Sequence, residues 1–266
     1  MAAGAAFMDK TLLKGLMVLE AVSKLGARAP GLDEVAAMCG LSRSNAHRTL
    51  QTLAHAGYIA RDPDTGGYRS TLKMFELGAR QLANMDVRAL APPLMRTLAM
   101  QTGETVHLSA LDGLDVVYID KLDSAQPLQA YSVIGGRAPA YAVATGKALL
   151  AFQQDGYLSH YKSRLHAHTR LTRATEAALT QELAEVARLG YAINRGEWRD
   201  GIGGVASPIF SGLQRPVAAL GISGPLDRLT PAKMTQYVPL ILDAAAAISR
   251  QLGYSGPPAG AAGARG

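Results

Sequence analysis

Four polar side chains recur at helical spacing near the start of this 266-residue chain. They are Ser44, His47, Arg48 and Gln51, at i, i+3, i+4 and i+7, which places them on one face of an α-helix. Their hydroxyl, imidazole, guanidinium and amide groups can bond base edges and phosphate oxygens. The row therefore indicates binding in a groove of a DNA duplex.

The segments around this row predict a compact unit that would position it. Residues 32–40 have the pattern of a short amphipathic helix ending in glycine, and Ser42 in the following turn is a natural N-cap for a second helix over residues 43–55. Residues 58–71 then have the pattern of a small hairpin, with its turn at residues 62–67. A helix, a turn, a helix and a wing in this order predict a winged helix-turn-helix.

The opposite face of the second helix is apolar or small, with Ala46, Leu50, Leu53 and Gly57 at helical spacing, so it can pack on the first helix. A lone helix with a polar face is more often simply solvated. The short preceding helix, the turn and the glycine-rich hairpin together favour DNA binding. The predicted DNA-binding residues lie on the second helix and in the wing: Arg43, Ser44, Asn45, His47, Arg48, Gln51, Arg61 and Arg69.

Net charge alone does not locate this region. The formal charge is +6, with +3 up to Arg80 and +3 beyond it, so the local pattern rather than basicity supports DNA binding. A single cysteine excludes an intramolecular disulfide and a cysteine-rich zinc site. The chain has neither a long apolar run nor a signal-peptide pattern, so we expect a soluble cytoplasmic protein with no membrane partner. We predict no metal and no cofactor.

The length suggests two domains. We predict a DNA-binding domain over residues 10–71, a linker helix over residues 72–85, an effector-binding domain over residues 86–252, and a disordered tail over residues 253–266. Mixed strands and helices in the third segment give an α+β fold class.

Near the start of the first domain, a helix over residues 11–25 would place Leu12, Leu16, Leu19 and Val22 on one side. This apolar side needs a partner surface. We expect it to pack on the helix-turn-helix or on its copy in a second subunit.

The second domain alternates strand-like and helical segments. The apolar alternation and the turn residues between segments distinguish the two types. Strands are predicted over residues 105–111, 115–122, 128–133, 191–194, 205–210 and 217–223, and helices over residues 146–152, 175–189 and 230–252.

Three segments resemble catalytic or nucleotide-binding motifs but fail in detail. Residues 141–148 lack the first glycine and the final hydroxyl of a phosphate loop. The glycine-rich residues 201–206 run into a strand-like segment rather than opening a helix, so they do not suit a dinucleotide pyrophosphate. Residues 221–224 are one residue short of a nucleophile elbow. Nothing in the sequence argues for catalysis.

Ligand binding is more plausible, although turns and strand ends without a ligand would give the same pattern. Glycines and small residues alternate with aromatic ones around Tyr131 and Tyr141–Gly146, and a helix starting near Thr145 would offer backbone amides to a carboxylate. The only tryptophan, Trp198, follows a predicted strand. Ser207 and Ser223 lie on later strands.

Over residues 12–252 the chain resembles the IclR family of bacterial transcriptional regulators. Several motifs in the expected order make this likeness specific. They are Leu41-Ser-Arg-Ser44, His47-Arg48, Gly57-Tyr-Ile59, Gly135-Gly-Arg-Ala-Pro139, Thr145-Gly-Lys-Ala148, Gly190-Tyr-Ala192, Gly196-Glu197, Gly201-Ile-Gly-Gly-Val-Ala-Ser-Pro-Ile-Phe210 and Ile222-Ser-Gly-Pro225.

The resemblance implies a winged helix-turn-helix joined by a linker helix to a GAF-like effector domain, and dimers or tetramers acting on palindromic operators. Family pockets bind small organic acids, often aromatic or short-chain. By matched position the pocket would include Ala130, Ala138, Ala144, Thr145, Asn194, Gly204, Gly221 and Ser223. The segments singled out above add Tyr131, Tyr141, Gly146, Trp198 and Ser207.

Three positions depart from the family pattern. Many members have Asp where Asn194 stands and Cys where Gly204 stands, and some have Ser at the position of Gly221. These differences predict a pocket with fewer polar groups on its wall and more room for a ligand. Such a pocket favours a ligand larger than glyoxylate or pyruvate, such as an aromatic acid.

We therefore predict a ligand-responsive, DNA-binding transcriptional regulator of a catabolic operon. Its partners would be duplex DNA with a palindromic operator, a small organic acid and further copies of itself, as a homodimer or a dimer of dimers. One alternative is a small-molecule enzyme with an accessory DNA-binding-like domain. Another is a sequence-tolerant DNA-binding protein with an unused sensor domain.

Overall fold

The computed structural model describes residues 9–25, 28–83, 86–128 and 132–257. The chain divides into two units, residues 1–84 and 85–266. Helices precede a hairpin in the first unit, and a sheet with flanking helices forms the second, so the predicted α+β class is confirmed. The linker helix predicted over residues 72–85 ends on two residues that lie outside the described ranges.

The first unit contains three helices, a two-stranded hairpin and a fourth helix. These elements are α1 (Lys10–Lys24), α2 (Leu32–Cys39), α3 (Arg43–His55), β1 (Ile59–Arg61), β2 (Tyr68–Ser70) and α4 (Leu72–Ala83). The hairpin is antiparallel, with Ala60 opposite Arg69.

Capping residues set the turn between α2 and α3. Gly40 ends α2 in the left-handed conformation, at φ 60°, which glycine adopts without the strain that a side chain would add. The Ser42 hydroxyl accepts a hydrogen bond from the amide of Asn45 at 3.4 Å and so caps α3. Ala46 and Leu50 on α3 are fully buried.

The apolar side of α1 is only partly covered. Val18 and Val22 lie in the core of the first unit, whereas Leu12 and Leu16 are 62% and 50% exposed. Of the two partners predicted for this side, the helix-turn-helix covers Val22 and part of Leu19 but not Leu12 and Leu16. The reason is that the buried residues of α1 are Val18, Ala21 and Val22, in the second half of the helix. Packing on a second subunit stays a prediction.

The second unit is built on a six-stranded antiparallel sheet of strand order β5-β4-β3-β8-β7-β6. Helices cover both of its faces. In chain order the elements are α5 (Asp86–Leu90), α6 (Pro92–Thr102), β3 (Thr105–Asp112), β4 (Asp115–Leu122), β5 (Arg137–Pro139), α7 (Ala144–Leu150), α8 (Glu176–Leu189), β6 (Ala192–Arg195), β7 (Ile202–Phe210), β8 (Pro216–Pro225) and α9 (Pro231–Gln251).

The two faces of the sheet have separate cores because side chains alternate along each strand. On β3, Val106 and Leu108 pack in the core formed with α6 and α9. His107 and Ser109, one residue out of phase, lie on the other face, which α7 contacts. Both are buried, so β3 carries polar groups in the interior of the unit.

The predicted strand over residues 128–133 is not present among its described residues. Leu128, Ser132 and Val133 are not in a strand, and residues 129–131 lie outside the described ranges. The chain turns at Gly135, which has φ 81°, and the residues that pair with β4 in the sheet, as β5, are Arg137–Pro139. The strand therefore begins after this turn.

The glycine-rich segment after residue 201 is another difference. The sequence predicts that the strand starts at residue 205, but β7 already begins at Ile202. A Cβ atom at Gly203 would overlap the side chains of Met234 and Leu226, so glycine lets the strand lie close to its neighbours.

The chain remains packed beyond α9. The Tyr254 ring stacks on that of Phe210, with centroids 4.9 Å apart, so the prediction of a disordered segment 253–266 is wrong for this residue. Residues 258–266 lie outside the described ranges. Across the described parts of the chain, every helix is too short or too polar to cross a membrane.

Candidate functional site

The polar row of α3 is exposed to solvent, and the helix is held from behind. Ser44, His47, Arg48 and Gln51 are all exposed, while Ala46 and Leu50 on the reverse face are 0% exposed. A helix anchored on one side and polar on the other can enter a major groove without disturbing the core.

Two neighbours of the row already have partners within the unit. Arg43 forms an ion pair with Asp33 on α2, and both side chains are largely exposed. An exposed ion pair contributes little stability, so Arg43 can exchange Asp33 for a phosphate at small cost. Arg48 donates to the side-chain oxygen of the half-buried Asn45 at 3.0 Å, which orients its guanidinium along the helix.

The wing is ordered by a turn around Asp62. Its carboxylate accepts hydrogen bonds from the amides of Asp64 and Thr65, at 3.1 and 3.0 Å. The bond from the Thr65 amide, with smaller contributions from the Thr65 hydroxyl and others, lowers the pKa of Asp62. Arg61 donates to the carbonyl of Gly66 at 3.1 Å, and Arg69 is exposed on β2. Both predicted wing arginines therefore lie on the hairpin, Arg61 tied to its turn.

The second unit contains a cavity of about 50 Å³ between the sheet and α7. Its walls come from β3, β4, β6, β7, β8, the start of α7 and the segments before β5 and after β6. The residues that line it are His107, Tyr118, Ser132, Val143, Ala144, Thr145, Asn194, Trp198, Arg199, Ile202, Gly204, Ile222 and Ser223.

A buried imidazole lies at the centre of the polar wall. His107 Nε2 is 2.7 Å from Ser132 Oγ, and His107 Nδ1 is 3.2 Å from Ser223 Oγ. The Tyr118 ring packs against the imidazole, with centroids 4.6 Å apart. Burial lowers the pKa of His107 to about 4, helped by the positive charge of Lys121, and burial raises the pKa of Tyr118 to about 12. Both rings are therefore neutral at pH 7.

The segment after β6 is shaped by Asn194. Its side-chain oxygen accepts hydrogen bonds from the amides of Gly196 and Glu197, at 3.1 and 2.9 Å. An Asp side chain, which many family members have at this position, could accept the same two hydrogen bonds. Asn194 therefore preserves the turn. The turn brings Trp198 and Arg199 to the cavity, with the guanidinium 4.2 Å from the indole centroid.

Helix α7 begins at Ala144 and has seven residues, so the expected helix start at the cavity is present. Two turns of helix give a weak dipole. The other polar groups at the cavity are side chains of its wall. The helix is attached to the turn after Asn194 by Lys147, which is fully buried and paired with Glu197 at 2.5 Å and with Glu182.

Gly146 on α7 is required for packing, which gives a first prediction. Gly146→Ala should destabilise the second unit by about 1–3 kcal/mol, because a Cβ would overlap the backbone of Ala140 and the helix is buried on all sides. Urea unfolding followed by Trp198 fluorescence measures the loss. Gly15→Ala in α1 of the first unit, where no atom lies within 4 Å, is the control and should leave the unfolding of the second unit unchanged. A Gly146→Ala variant as stable as the wild type would contradict this packing.

The structure brings together six of the predicted effector-binding residues on the wall of the cavity. These are Ala144, Thr145, Asn194, Trp198, Gly204 and Ser223. Ala130 and Tyr131 lie outside the described residues. Whether any of them contacts a ligand stays a prediction.

Five other predicted residues do not line the cavity. Ala138 is buried in the core next to α7, and Gly221 lies against Ala206 of the neighbouring strand. Ser207 donates to the carbonyl of Gly190 at 3.0 Å. The remaining two, Tyr141 and Gly146, are packing residues of α7 and the segment before it; the Tyr141 hydroxyl lies 2.9 Å from His168 Nε2.

The idea that glycine makes the lining roomier is also wrong for this backbone. A Cβ at Gly204 would lie 2.6 Å from the carbonyl oxygen of Ile222, and one at Gly221 would lie 2.6 Å from that of Val205. The space that a side chain would occupy is filled by adjacent strands. The glycines permit close strand packing and add no volume for a ligand.

Seven residues that line the cavity lie outside the predicted set, and four of these are polar or charged: His107, Tyr118, Ser132 and Arg199. One signal was available, since His107 is a polar residue in an apolar strand-like run. No local sequence pattern distinguishes Tyr118 and Ser132. They contact His107 only because the folded chain brings β4 and the segment before Gly135 next to β3.

The contact between Ser132 and His107 also bears on the enzyme alternative. An imidazole that activates a serine must accept its proton, and a pKa near 4 makes His107 a weak base at neutral pH. Its second nitrogen faces Ser223 rather than a carboxylate that would stabilise an imidazolium. The Ser132–His107 contact is therefore not the nucleophile–base pair of a serine triad. Among the described residues, no group of His, Cys, Asp and Glu could hold a metal.

Comparison with known proteins gives two family matches. The family model described as "Bacterial transcriptional regulator IclR C-terminal" matches residues 79–250, and "IclR helix-turn-helix domain" matches residues 11–63. The chain is similar to the HTH-type transcriptional regulator KdgR of Escherichia coli K12, with 36% identity over 250 residues, 93% of this chain and 94% of KdgR. It is 31% identical to the transcriptional repressor IclR of the same organism, over 93% of this chain and 90% of that protein.

Solved structures are similar over the same range. The IclR structure of Thermotoga maritima is 32% identical, with a TM-score of 0.75, covering 92% of this chain and 99% of that one. An IclR homolog of Microbacterium hydrocarbonoxydans in complex with 4-hydroxybenzoate is 25% identical, with a TM-score of 0.79, covering 91% and 98%.

Proposed function

Because the chain belongs to the IclR family of bacterial transcriptional regulators, we propose that it controls a catabolic operon in response to a small organic carboxylic acid. DNA is bound by the helix-turn-helix of the first unit, and the acid is bound in the cavity of the second. The observation that supports the sensor role is this cavity, where neutral polar groups and an arginine meet aromatic rings.

On the DNA side, α3 enters the major groove with Ser44, His47, Arg48 and Gln51 toward base edges. The wing and the flanking arginines contact phosphates. We expect a homodimer or a dimer of dimers on a palindromic operator, since two-fold related helices match two-fold related half-sites.

On the ligand side, a carboxylate suits the guanidinium of Arg199, and an aromatic or short aliphatic body suits Trp198 and Tyr118. The related structure that contains 4-hydroxybenzoate supports an acid of this kind. For the acid to act as a signal, it must bind the DNA-competent and DNA-incompetent arrangements with different affinities. Residues 72–85, which join the two predicted domains in sequence, are the segment through which the difference would pass.

The test is a thermal-shift screen of small aliphatic and aromatic carboxylic acids on the full-length protein, with quenching of Trp198 fluorescence as a second readout. A ligand present at 100 times its Kd stabilises by about 2.7 kcal/mol, a clear rise in Tm. Acids that bind should then change the affinity for promoter DNA at fixed salt. If no acid in the panel shifts Tm or fluorescence, the sensor role is wrong. If acids bind without changing DNA affinity, the regulatory link is wrong.

A further inference from the structure

We infer that Thr71 and Lys73 are positioning residues for DNA recognition. They bind the backbone carbonyls at the end of α3 and so join α3, the wing and the start of α4 into one rigid body. The inference rests on the proposed role of α3 in the major groove. It adds two residues outside the predicted DNA-binding set.

Helix α3 ends in a glycine turn. The Gly57 amide donates to the carbonyl of Ala54 at 3.0 Å, and Gly57 has φ 78°. The amide of the next residue donates to the carbonyl of Leu53, also at 3.0 Å. This is the Schellman arrangement, which bonds the last carbonyls of the helix. The carbonyls of residues 56–58 follow the turn and must find their partners elsewhere.

Thr71 and Lys73 supply those partners. The Lys73 ammonium donates to the Ala56 carbonyl at 2.6 Å. The Thr71 hydroxyl lies 2.6 and 3.2 Å from the carbonyl oxygens of Gly57 and Tyr58, and the Thr71 amide donates to the Tyr58 carbonyl at 3.0 Å. The same hydroxyl accepts from the Lys73 amide at 3.3 Å, which caps α4. These two residues therefore begin α4 and bind the end of α3 at once.

The charge and the length of Lys73 suit this place. Its ammonium lies at the C-terminal end of α3, where the helix dipole is negative. It is also 4.6 Å from the centroid of the Tyr58 ring, a cation–π contact. Its stem passes Gly57, since a Cβ atom there would lie 3.8 Å from Lys73 Cδ. A carbonyl, a ring and a glycine therefore fix the position of this side chain.

Apolar packing does little to fix the direction of α4. None of its side chains over residues 72–78 is buried, and Leu72 and Phe75 are 77% and 71% exposed. Thr71 also closes the base of the wing, because it follows β2 and bonds the residue that precedes β1. Residues 56–58 and 71–73 thus form one corner, where α3, the wing and α4 meet.

A rigid corner matters for discrimination between DNA sequences. Contacts to base edges need one orientation of α3 relative to the phosphate contacts of the wing, whereas contacts to phosphates alone tolerate several. An element that is already ordered also loses less freedom when it binds. Loosening the corner should therefore weaken binding to the promoter more than binding to other DNA.

The first measurement is the distribution of distances between spin labels on α3 and α4 in the full-length protein. Labels are attached at Ser44→Cys and Glu76→Cys, both exposed positions, after Cys39→Ser removes the only native cysteine. An excess of unlabelled protein limits the signal to distances within one copy. Lys73→Met and Thr71→Val should each broaden the distribution. Lys73→Arg can still bind a carbonyl and an aromatic ring, so it should keep the distribution narrow.

The second measurement is the preference for promoter over scrambled duplex, by fluorescence anisotropy in a salt series on unlabelled protein. Lys73→Met should reduce the preference roughly fivefold or more, the equivalent of about one base contact, with unchanged salt dependence. Thr71→Val should act in the same direction, and Lys73→Arg should retain the preference. Lys24→Met, which removes an exposed lysine of α1, is the matched control and should also retain it. Circular dichroism checks that each variant is folded.

Three results would overturn the inference. The distance distribution could stay narrow in both Lys73→Met and Thr71→Val, or the preference could stay intact in both. Lys73→Met could instead weaken binding to both duplexes equally and lower the salt dependence by about one charge, which would make Lys73 a phosphate contact. The proposed role of α3 fails separately, because it requires that alanine at His47 and Arg48 abolish the preference whatever Lys73→Met does.

Discussion

Replacing His47 and Arg48 together with alanine should abolish the preference of the protein for its promoter over scrambled duplex DNA. Removing a side chain that bonds a base edge costs roughly 1–3 kcal/mol of discrimination. The fold should survive, because both side chains are exposed and α3 is held by Ala46 and Leu50 on its other face. Fluorescence anisotropy with the two duplexes at the same salt concentration measures the preference, and circular dichroism checks the fold.

A charge-matched control separates base recognition from general attraction to DNA. His160 and Arg250 are exposed residues of the second unit, so a His160→Ala and Arg250→Ala double variant removes the same side-chain types elsewhere. It should keep the preference. If the α3 variant binds both duplexes more weakly by the same factor, the two residues bind phosphates only. If its preference stays intact, α3 is not the recognition helix.

Among the substitutions considered, removing the buried ammonium of Lys147 should cause the largest loss of stability. Lys147→Met should lower the free energy of unfolding by about 3–5 kcal/mol, because it leaves the carboxylates of Glu197 and Glu182 without their shared partner. Urea unfolding at pH 7 measures the loss. Lys233→Met, an exposed lysine at the start of α9, is the control and should change stability little.

The loss at Lys147 should also depend on pH. Burial raises the pKa of Glu197 and Lys147 lowers it, so the variant has a higher Glu197 pKa than the wild type. A carboxyl whose folded-state pKa is raised destabilises above that pKa and ceases to do so once protonated. The deficit of Lys147→Met should therefore shrink as pH falls from 7 toward 5, and adding Glu197→Gln should recover part of it at pH 7. A loss below about 1 kcal/mol, or one equal to that of Lys233→Met, would contradict the ion-pair argument.

Features encoded by neighbouring residues could be predicted from the sequence. The turn between α2 and α3 depends on a glycine and a serine cap, and α3 on apolar residues one turn apart, so a window of about 15 residues contains the whole pattern. The family motifs could be found for the same reason, since each is a short string. The order of the two parts and the fold class followed from these local patterns.

The cavity could not be predicted in the same way. His107, Tyr118, Ser132 and Ser223 are far apart in sequence and meet because β3 pairs with β4 on one side and β8 on the other. Register decides which side chains share a face, and register is a property of the paired strands rather than of either strand alone. The roles of Gly204 on β7 and Gly221 on β8 could not be predicted from the sequence either. The atoms that a Cβ would overlap belong to the neighbouring strand.

By itself the sequence determined the caps of the helix-turn-helix, which face of α3 is polar, and to which family the chain belongs. The tertiary structure alone decided that a buried histidine lies between two serines beside a cavity, and that Leu12 and Leu16 of α1 remain uncovered. The physical reason is the distance along the sequence between the residues that interact. Helical hydrogen bonds join residues four apart, whereas burial and strand pairing join residues that the chain brings together only when it folds.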